Sequence, residues 1–322
     1  MDRPGFAVPA ILLMQIIAGG NGVLSQSIGP ASVVSSGTHA TNNAGTFSWS
    51  IGQIGGASFF DANSLITAGV QQPDVIWLSL NVRAMLAGPF DSTAMLMADD
   101  LRMAGLVPML EPFSARGFQH AGKGGGEQSS PAILVTSGPN AIVDWIMIEL
   151  RDPADPQILL STSSGLLQRD GDVVGMDGSS LLRISAVPGN YHLAVRHRNH
   201  LPIRSAVPIV FTTAITVVDF SNGSDPAFGV DPMLSRNGVE LLWAGDVTGD
   251  HLVKYVNTAN DRDTILVHVG GNIPTNVVAG YSDTDVNLDG LTKYAGAKND
   301  RDPILFTIGG TIPTAVRSAQ FP

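Results

Sequence analysis

Short apolar runs separated by glycine, proline and asparagine turns make up most of this chain of 322 residues. In the runs AIVDWIMIEL and YHLAVRH, apolar and polar side chains partly alternate, as they do in strands that bury one face. The spacing of 36 glycines and 20 prolines favours many strands and turns over long helices. We therefore expect a mainly β fold of antiparallel β-sandwich modules, with strands at residues 46–51, 65–70, 76–84, 141–150, 191–197 and 209–220.

Changes in this pattern divide the chain into five segments. An apolar N-terminal stretch comes first, and a Gly/Ser/Asn-rich stretch with two strands follows it. Longer strands then fill the middle of the chain, and two similar sequences end it. The predicted segments are a signal peptide at 1–25, an N-terminal β module at 26–74, a central β-sandwich domain at 75–221, a linker at 222–240 and a repeat module at 241–322.

The first segment has the features of a secretion signal. Arg3 precedes an apolar stretch at 6–18, and Val23 and Ser25 stand at positions −3 and −1 of a cleavage site after Ser25. A buried core helix is the alternative. A cleaved signal predicts a secreted protein, extracellular or on the cell surface. Since no other stretch approaches membrane-spanning length, we expect no membrane span in the mature chain.

Two segments 39 residues apart carry the clearest chemical signal. DVTGDHLVKYVNTANDRDTIL begins at residue 246, and DVNLDGLTKYAGAKNDRDPIL begins at residue 285. Both place acidic or polar side chains at every second position, the spacing with which a short loop surrounds calcium with oxygen ligands. The predicted ligands of the first loop are Asp246, Thr248, Asp250, the Leu252 carbonyl and Asp263. Those of the second are Asp285, Asn287, Asp289, the Leu291 carbonyl and Asp302.

Asp263 and Asp302 close the loops after a six-residue insertion, and they are also predicted to cap a short helix in each copy. Pro303 fits the first helical position, and Gly270 and Gly309 fit the position after the last. Each copy should thus be a loop followed by a helix of roughly two turns.

The two loops differ at one position that affects the turn. His251 occupies the place that Gly290 takes in the second copy, where a sharp turn is needed. We therefore expect the first loop to bind calcium more weakly. Two Asp/Asn-rich turns without an ion are the alternative, since such turns are common.

These residues resemble the type I dockerin repeat, over residues 244–313. The resemblance implies a duplicated calcium-loop-and-helix module, with a cohesin-type protein as partner in a secreted bacterial assembly. Residues 27–73, with an S-I-G phrase and a final Q-P, resemble an N-terminal module of large secreted Bacteroidota proteins. The phrases GPNAIVDWIMIELRD, LLQRDGDVV and AVRHRNHL resemble a region of secreted proteins that carry the same tail, which implies surface assemblies or adhesion.

Composition narrows the classes of partner. The net charge of −10 argues against a nucleic-acid partner. The absence of cysteine excludes disulfides, and calcium can replace them as an extracellular stabiliser. Only four of the 28 acidic residues are glutamate, and aspartate favours turns and calcium loops over helices.

Two other clusters could bind metal. Asp170, Asp172 and Asp177 could form a further calcium loop, although D-G-D and D-G more often form hairpin turns. His197 and His200 have a spacing that suits metal ligation, but no third ligand is identifiable, and a strand end stabilised by polar side chains is the favoured interpretation.

Common enzyme motifs are missing from the sequence. It contains no G-x-S-x-G elbow, no H-E-x-x-H and no nucleotide-binding fingerprint. We therefore expect a non-enzymatic structural or adhesive surface protein, which could self-associate into a fibre through strand edges. The alternatives are a binding module that docks through its repeats to a cohesin-type protein, and a cryptic hydrolase.

Overall fold

A computed structural model describes residues 75–321 and, within residues 1–74, the backbone of six strands. The six strands pair in sequence as three antiparallel hairpins. β4 and β6 confirm the predicted strands at 46–51 and 65–70. β1 lies within the predicted signal peptide and β2 spans its end, and the other residues of that segment lie outside the described residues. The strands are β1 Met14–Ala18, β2 Gly22–Gln26, β3 Ser36–Asn42, β4 Gly45–Ile51, β5 Ala57–Phe60 and β6 Leu65–Ala68.

Contacts divide the chain into two units, Met1–Asp74 and Val75–Pro322. The predicted central domain, linker and repeats all lie in the second unit. Before its C-terminal repeats, this unit contains a four-residue helix, α1 Asp100–Met103, and 3-10 helices at Ser114–Arg116 and Pro131–Val135. Its strands there are β7 Trp77–Arg83, β8 Phe90–Asp91, β9 Leu96–Met97, β10 Ile142–Arg151, β11 Leu159–Gln168, β12 Asp172–Val174, β13 Leu182–Ser185, β14 Gly189–Arg196, β15 Ile203–Arg204, β16 Ile209–Phe211, β17 Thr216–Asp219, β18 Leu234–Arg236 and β19 Val239–Leu241.

Nine of these strands form one sheet, in the order β13-β7-β12-β11-β10-β14-β15, with β16 paired to β14 and β17 paired to β7. Every pairing is antiparallel except that of β17 with β7. The predicted class, a mainly β fold with antiparallel pairing, is confirmed. The predicted strands at 76–84, 141–150 and 191–197 correspond to β7, β10 and β14.

The centre of the sheet explains why alternation is weak in the sequence. All ten residues of β10 are buried, so both of its faces are covered. Trp145 donates its indole N–H to the Pro108 carbonyl at 2.7 Å, which shows that the preceding segment packs against this strand. A strand buried on both faces has no need of a polar side, and polar residues enter β10 only where partners satisfy them.

Two features of the sheet differ from the sequence-based expectation. β11, whose sequence is LLSTSSGLLQ, was not predicted because its buried side chains are mostly small and polar. Ser161 and Ser163 hydrogen-bond to carbonyls near β13, and a Cβ on Gly165 would lie 2.8 Å from Val173. The predicted single strand at 209–220 is wrong, since the chain turns after β16 and crosses to β7 as β17, helped by an Ala214 N–H bond to Thr212 Oγ1.

The C-terminal repeats each contain a loop strand, a short helix and a second strand. The first repeat holds β20 Leu252–Lys254, α2 Asp261–His268 and β21 Val277–Ala279. The second holds β22 Leu291–Lys293, α3 Arg301–Thr307 and β23 Val316–Ser318. Both helices have about the predicted length, and none of the helices in the described part of the chain is long and apolar enough to cross a membrane.

The two repeats exchange strands. β21, which follows the helix of the first repeat, pairs with the loop strand β22 of the second. β23, which follows the helix of the second repeat, pairs with the loop strand β20 of the first. Corresponding residues occupy the same register in both pairs, so the duplication in sequence becomes a reciprocal arrangement in space.

The predicted helix boundaries need a correction at their N-termini. Asn260 caps α2, its side chain accepting the Asp263 N–H at 2.8 Å, and Asn299 accepts the Asp302 N–H at 3.0 Å. Asp263 and Asp302 therefore lie inside the first helical turn and are not the capping residues. Pro303 is the third residue of α3 and not the first.

The helix ends agree with the prediction. Gly270 and Gly309 follow the C-caps with φ values of 107° and 102°. Only glycine adopts these angles without strain, because it has no Cβ.

Candidate metal sites in the C-terminal repeats

The first loop encloses two buried aspartates. Asp246 is 3% exposed, and its Oδ2 accepts the His251 N–H at 3.1 Å. Its other oxygen, Oδ1, is buried and has no hydrogen-bond partner. A buried carboxylate oxygen without a donor is costly, so this atom calls for a cation or another donor.

Asp261 closes the loop from the first residue of α2. Its Oδ1 accepts the N–H groups of Val247 and Thr248 at 2.8 and 3.0 Å, and its Oδ2 accepts the Lys254 N–H at 2.8 Å. These bonds tie both ends of the loop to one carboxylate. Because the side chain is fully buried, it lies among the loop backbone and away from solvent.

The second loop repeats this arrangement. Asp300 Oδ1 accepts the Val286 N–H at 2.7 Å, and its Oδ2 accepts the Lys293 N–H at 2.7 Å. Asp285 Oδ2 accepts the Gly290 N–H at 2.9 Å. Asp285 and Asp300 are both fully buried. Each repeat thus buries two acidic side chains in the same loop.

Burial of these acids makes them weak. Burial, with Asp261 and Asp250 nearby, raises the pKa of Asp246 to about 7, and burial raises the pKa of Asp261 to about 6. In the second loop, burial raises the pKa of Asp285 to about 6 and that of Asp300 to about 7. A bound cation would relieve this penalty, because it would favour the ionised carboxylates.

Backbone conformation shows how closely the loops correspond. Four positions in each loop have positive φ, and three of these residues in the first loop and two in the second are not glycine. The pairs are Gly249 and Leu288, His251 and Gly290, Asn257 and Gly296, and Ala259 and Lys298.

His251 shows how the first loop accommodates a side chain at a glycine position. Its φ is 65°, and its Nε2 atom lies 2.9 Å from Arg196 Nη2. Its ring packs edge-on against the ring of Phe321. These contacts offset part of the backbone strain that a left-handed histidine carries. The expected weaker binding of the first loop stays a prediction.

All of the predicted ligands except Asp263 and Asp302 lie in the two loops. Asp246, Thr248 and Asp250 lie in the first loop, with the Leu252 carbonyl at the start of β20. Thr248 Oγ1 lies 3.2 Å from Asp261 Oδ1. Their counterparts in the second loop are Asp285, Asn287, Asp289 and the Leu291 carbonyl, and the Asn287 side chain donates to the Lys298 carbonyl at 2.9 Å.

Asp263 and Asp302 have other surroundings. The Asp263 carboxylate pairs with Arg262 at 2.8 Å and accepts from Asn260, and its side chain is 51% exposed. Asp302 makes the same contacts with Arg301 and Asn299. The structure therefore does not bring these two carboxylates into the loops, where Asp261 and Asp300 stand instead.

The sequence contained a signal for the residues that were missed. Each N-D-R-D phrase has two aspartates, and a closing ligand must be buried, whereas another residue in the first helical turn is free to face solvent. Spacing alone could not choose between them, because the choice depends on how the helix enters the loop.

A lysine pairs with the aspartate at the third ligand position of each loop. Lys254 Nζ is 2.6 Å from Asp250 Oδ2, and Lys293 Nζ is 2.8 Å from Asp289 Oδ2. Within residues 75–321, no group of three or more histidine, aspartate or glutamate side chains is arranged to hold a metal ion. Residues 261 and 300 nevertheless complete two loops of oxygen donors, the ligand type that calcium prefers.

His197 and His200 form a buried network and face each other. Their Nδ1 atoms are 3.1 Å apart, His200 Nε2 accepts the Gly88 N–H at 3.1 Å, and His197 Nε2 lies 3.2 Å from Asp144 Oδ2. Burial, together with the neighbouring His197 and Arg198, holds the pKa of His200 well below its usual value. This cluster supports the favoured interpretation of polar side chains that stabilise a strand end.

Asp144 connects the sheet to the second repeat. It accepts hydrogen bonds from Arg198 Nε at 2.9 Å and from the Tyr281 hydroxyl at 2.6 Å. Although burial alone would raise the pKa of Asp144, the Arg198 guanidinium and the bonds from His197 and Tyr281 hold it well below its usual value. The repeats are therefore joined to the sheet by a buried ionic network.

The third candidate cluster forms turns. Asp170 lies in the hairpin turn between β11 and β12, where its Oδ1 accepts the Asp172 N–H at 3.3 Å. Asp177 Oδ1 accepts the N–H groups of Ser179 and Ser180 in a separate turn. The favoured interpretation, hairpin turns, agrees with these bonds.

The chain matches no protein-family model, no curated protein and no solved structure. Function is therefore inferred from the chemistry of the repeats and of the sheet on which they pack.

Proposed function

We propose that the C-terminal repeats bind two calcium ions, which stabilise a secreted, non-enzymatic structural or adhesive surface protein. The observation that carries the proposal is the pair of buried aspartates in each loop, with Asp246 Oδ1 left without a donor. Asp246, Thr248, Asp250, the Leu252 carbonyl and Asp261 would hold the first ion. The second would be held by Asp285, Asn287, Asp289, the Leu291 carbonyl and Asp300.

The ion would have a structural role. Each loop is joined to the other repeat through reciprocal strand pairs, and the shared core includes residues of both repeats. Calcium in either loop would therefore stabilise the whole module. Extracellular calcium modules bind at about 10⁻⁴–10⁻³ M, so each loop should add about 0.5–1.5 kcal/mol to stability in millimolar calcium.

Calorimetric titration of the chelator-treated protein tests the proposal, with thermal unfolding as a second measurement. We expect two calcium ions per chain and a melting temperature that rises with calcium. Magnesium should substitute poorly, because it demands near-ideal octahedral geometry. Equal melting temperatures in calcium and in chelator, with no heat of binding, would overturn it.

Self-association into a fibre is the structural role that we favour, because exposed strand edges can pair with a neighbouring chain. Electron microscopy and light scattering of the concentrated, calcium-loaded protein test this role. Ordered assemblies are expected, and protein that stays monomeric at high concentration would argue against it.

A binding module that docks through dockerin-like repeats is the second candidate, and paired exposed apolar residues favour it. Val267 and Phe306 occupy equivalent positions on α2 and α3 and are 72% and 50% exposed. Ile273 and Ile312 are a second equivalent pair, 61% and 60% exposed. Apolar residues repeated on both copies are typical of an interaction surface.

Point variants test docking better than deletion, since the repeats share contacts with the sheet. A cohesin-type protein should be captured by the native chain and lost with Phe306→Ser and Val267→Ser together. Val230→Ser, at an apolar residue 86% exposed and outside the repeats' helices, is the control. Undiminished capture by the double variant would exclude this surface.

A further inference from the structure

Four arginines line a cavity between the central sheet and the first repeat. The cavity has a volume of about 410 Å³. Arg151 and Arg196 end β10 and β14, Arg198 follows two residues later, and Arg116 ends the 3-10 helix at Ser114–Arg116. Asp283 is the one acidic residue in the cavity wall among the residues that the structure describes.

Two further acids lie behind this wall, where they form ion pairs with its arginines. Glu149 binds Arg151 at 2.6 Å and Arg196 at 3.2 Å, and Asp144 binds Arg198 at 2.9 Å. Both carboxylates are fully buried. The wall and the acids that pair with its arginines thus hold four positive charges and three negative ones, in a chain whose net charge is −10.

Several guanidinium nitrogens lack an acceptor. Arg198 Nη2 is buried without a hydrogen-bond partner, in a side chain that is 1% exposed. Arg116 and Arg151 each use Nε and Nη1 for protein acceptors, and neither has an acceptor for Nη2 among the described residues. A buried donor such as Arg198 Nη2 normally has a partner, so the cavity has a donor to offer a ligand, and Nη2 of Arg116 and of Arg151 add two more.

We propose that this cavity, the arginine pocket, binds a small oxyanion: a carboxylate, sulfate or phosphate group on a body of about monosaccharide size. The planar guanidinium fork matches these anions with two parallel N–H donors. Phe118 and Leu159 give the wall an apolar part, and Phe118 lies 4.3 Å below the Arg196 guanidinium. The volume lies in the range of small-molecule sites, roughly 300–1,000 Å³.

Calorimetric titration of the full chain with sodium glucuronate, sodium sulfate and sodium phosphate tests the proposal, with neutral glucose as the matched control. The titrations are run in chelator, which avoids calcium phosphate, and the first two are repeated in calcium. At least one anion should bind with a Kd of millimolar order or tighter, and glucose should not. The anion that binds most tightly identifies the source of the oxyanion.

Variants with opposite expected effects separate binding from folding. Arg116→Gln should weaken binding about tenfold, because it removes a charged donor from a partly exposed side chain. Asp283→Asn should tighten it, because it removes the acid from the wall. Arg183→Gln, at an exposed arginine of β13 outside the pocket, should change nothing.

Binding that weakens in Arg116→Gln and strengthens in Asp283→Asn supports the arginine pocket in either buffer, whether or not the loops bind calcium. Absence of binding for all three anions up to tens of millimolar would overturn it, and so would binding that neither variant changes.

Discussion

Asp261 and Asp263 lie two residues apart in the first turn of α2, but only Asp261 directs its carboxylate into the loop. Asp261 is fully buried and holds backbone N–H groups from both ends of the loop. Asp263 faces solvent beside Arg262. Two aspartates in one helical turn thus offer a matched comparison of a loop residue with a surface residue.

We expect Asp261→Asn to remove most of the stabilisation that calcium confers through the first loop, because it removes a charged ligand. Asp263→Asn should leave it nearly unchanged. The measurement is the free energy of unfolding in calcium minus that in chelator, to which each loop should contribute about 0.5–1.5 kcal/mol. A larger loss in Asp263→Asn than in Asp261→Asn would restore Asp263 as the ligand.

The lysine in each loop should oppose calcium. Lys293 lies 2.8 Å from Asp289, so its positive charge competes with an ion for that carboxylate. Lys293→Gln should raise the calcium affinity of the second loop roughly 3- to 10-fold, measured by calorimetry. Lys298→Gln, at an exposed lysine in the same loop, is the control. An affinity lowered by Lys293→Gln would show that the lysine supports the site.

The stabilisation by calcium should decrease with falling pH. The folded pKa values of Asp246 and Asp300 are about 7, above the ordinary 3.8, so the ion-free folded state binds protons that the unfolded state releases. The ion-free protein therefore gains stability as pH falls from about 7 toward 4. Calcium needs the ionised carboxylates, so the calcium-dependent rise in melting temperature should be smaller at pH 5.5 than at pH 8. A calcium-dependent rise in melting temperature that is equal at the two pH values would contradict the burial of these acids.

The buried histidines should act in the opposite direction. The folded pKa of His200 lies well below 6.5, so the unfolded state binds protons that the folded state does not. Stability from His200 is complete above about pH 6.5 and is lost as pH falls, by about 1.4 kcal/mol per pH unit. In saturating calcium, His200→Gln should reduce this slope, whereas His268→Gln, at an exposed histidine, should not. Equal slopes in all three proteins would show that His200 does not contribute.

The ionic link between sheet and repeats should be sensitive to a single change. Asp144→Asn leaves the buried Arg198 without its main partner, which should cost about 3–5 kcal/mol in the free energy of unfolding. Tyr281→Phe removes one hydrogen bond to the same carboxylate and should cost about 1–2 kcal/mol. Asp231→Asn breaks an exposed pair with Arg317, with Asp231 59% exposed, and should cost under about 1 kcal/mol. Chemical denaturation measures all three, and equal losses would argue against the network.

Local patterns in the sequence predicted much of the fold. β7, β10 and β14 were visible as apolar runs, and the glycines after α2 and α3 marked both helix ends. β11 was not visible, because its serines bond to neighbouring carbonyls that only the folded sheet supplies. The break between β16 and β17 was not visible either, because both strands are apolar and the turn between them is short.

The sequence by itself determined the mainly β class, the duplication, and the set of oxygen side chains at positions 246 to 250 and 285 to 289. Each of these depends on short-range spacing, which the chain carries without help from distant residues. The tertiary structure alone decided that Asp261 and Asp300 close the loops, that the repeats exchange strands, and that four arginines meet at one cavity. Those outcomes depend on contacts between residues far apart in the chain, and only packing brings such residues together.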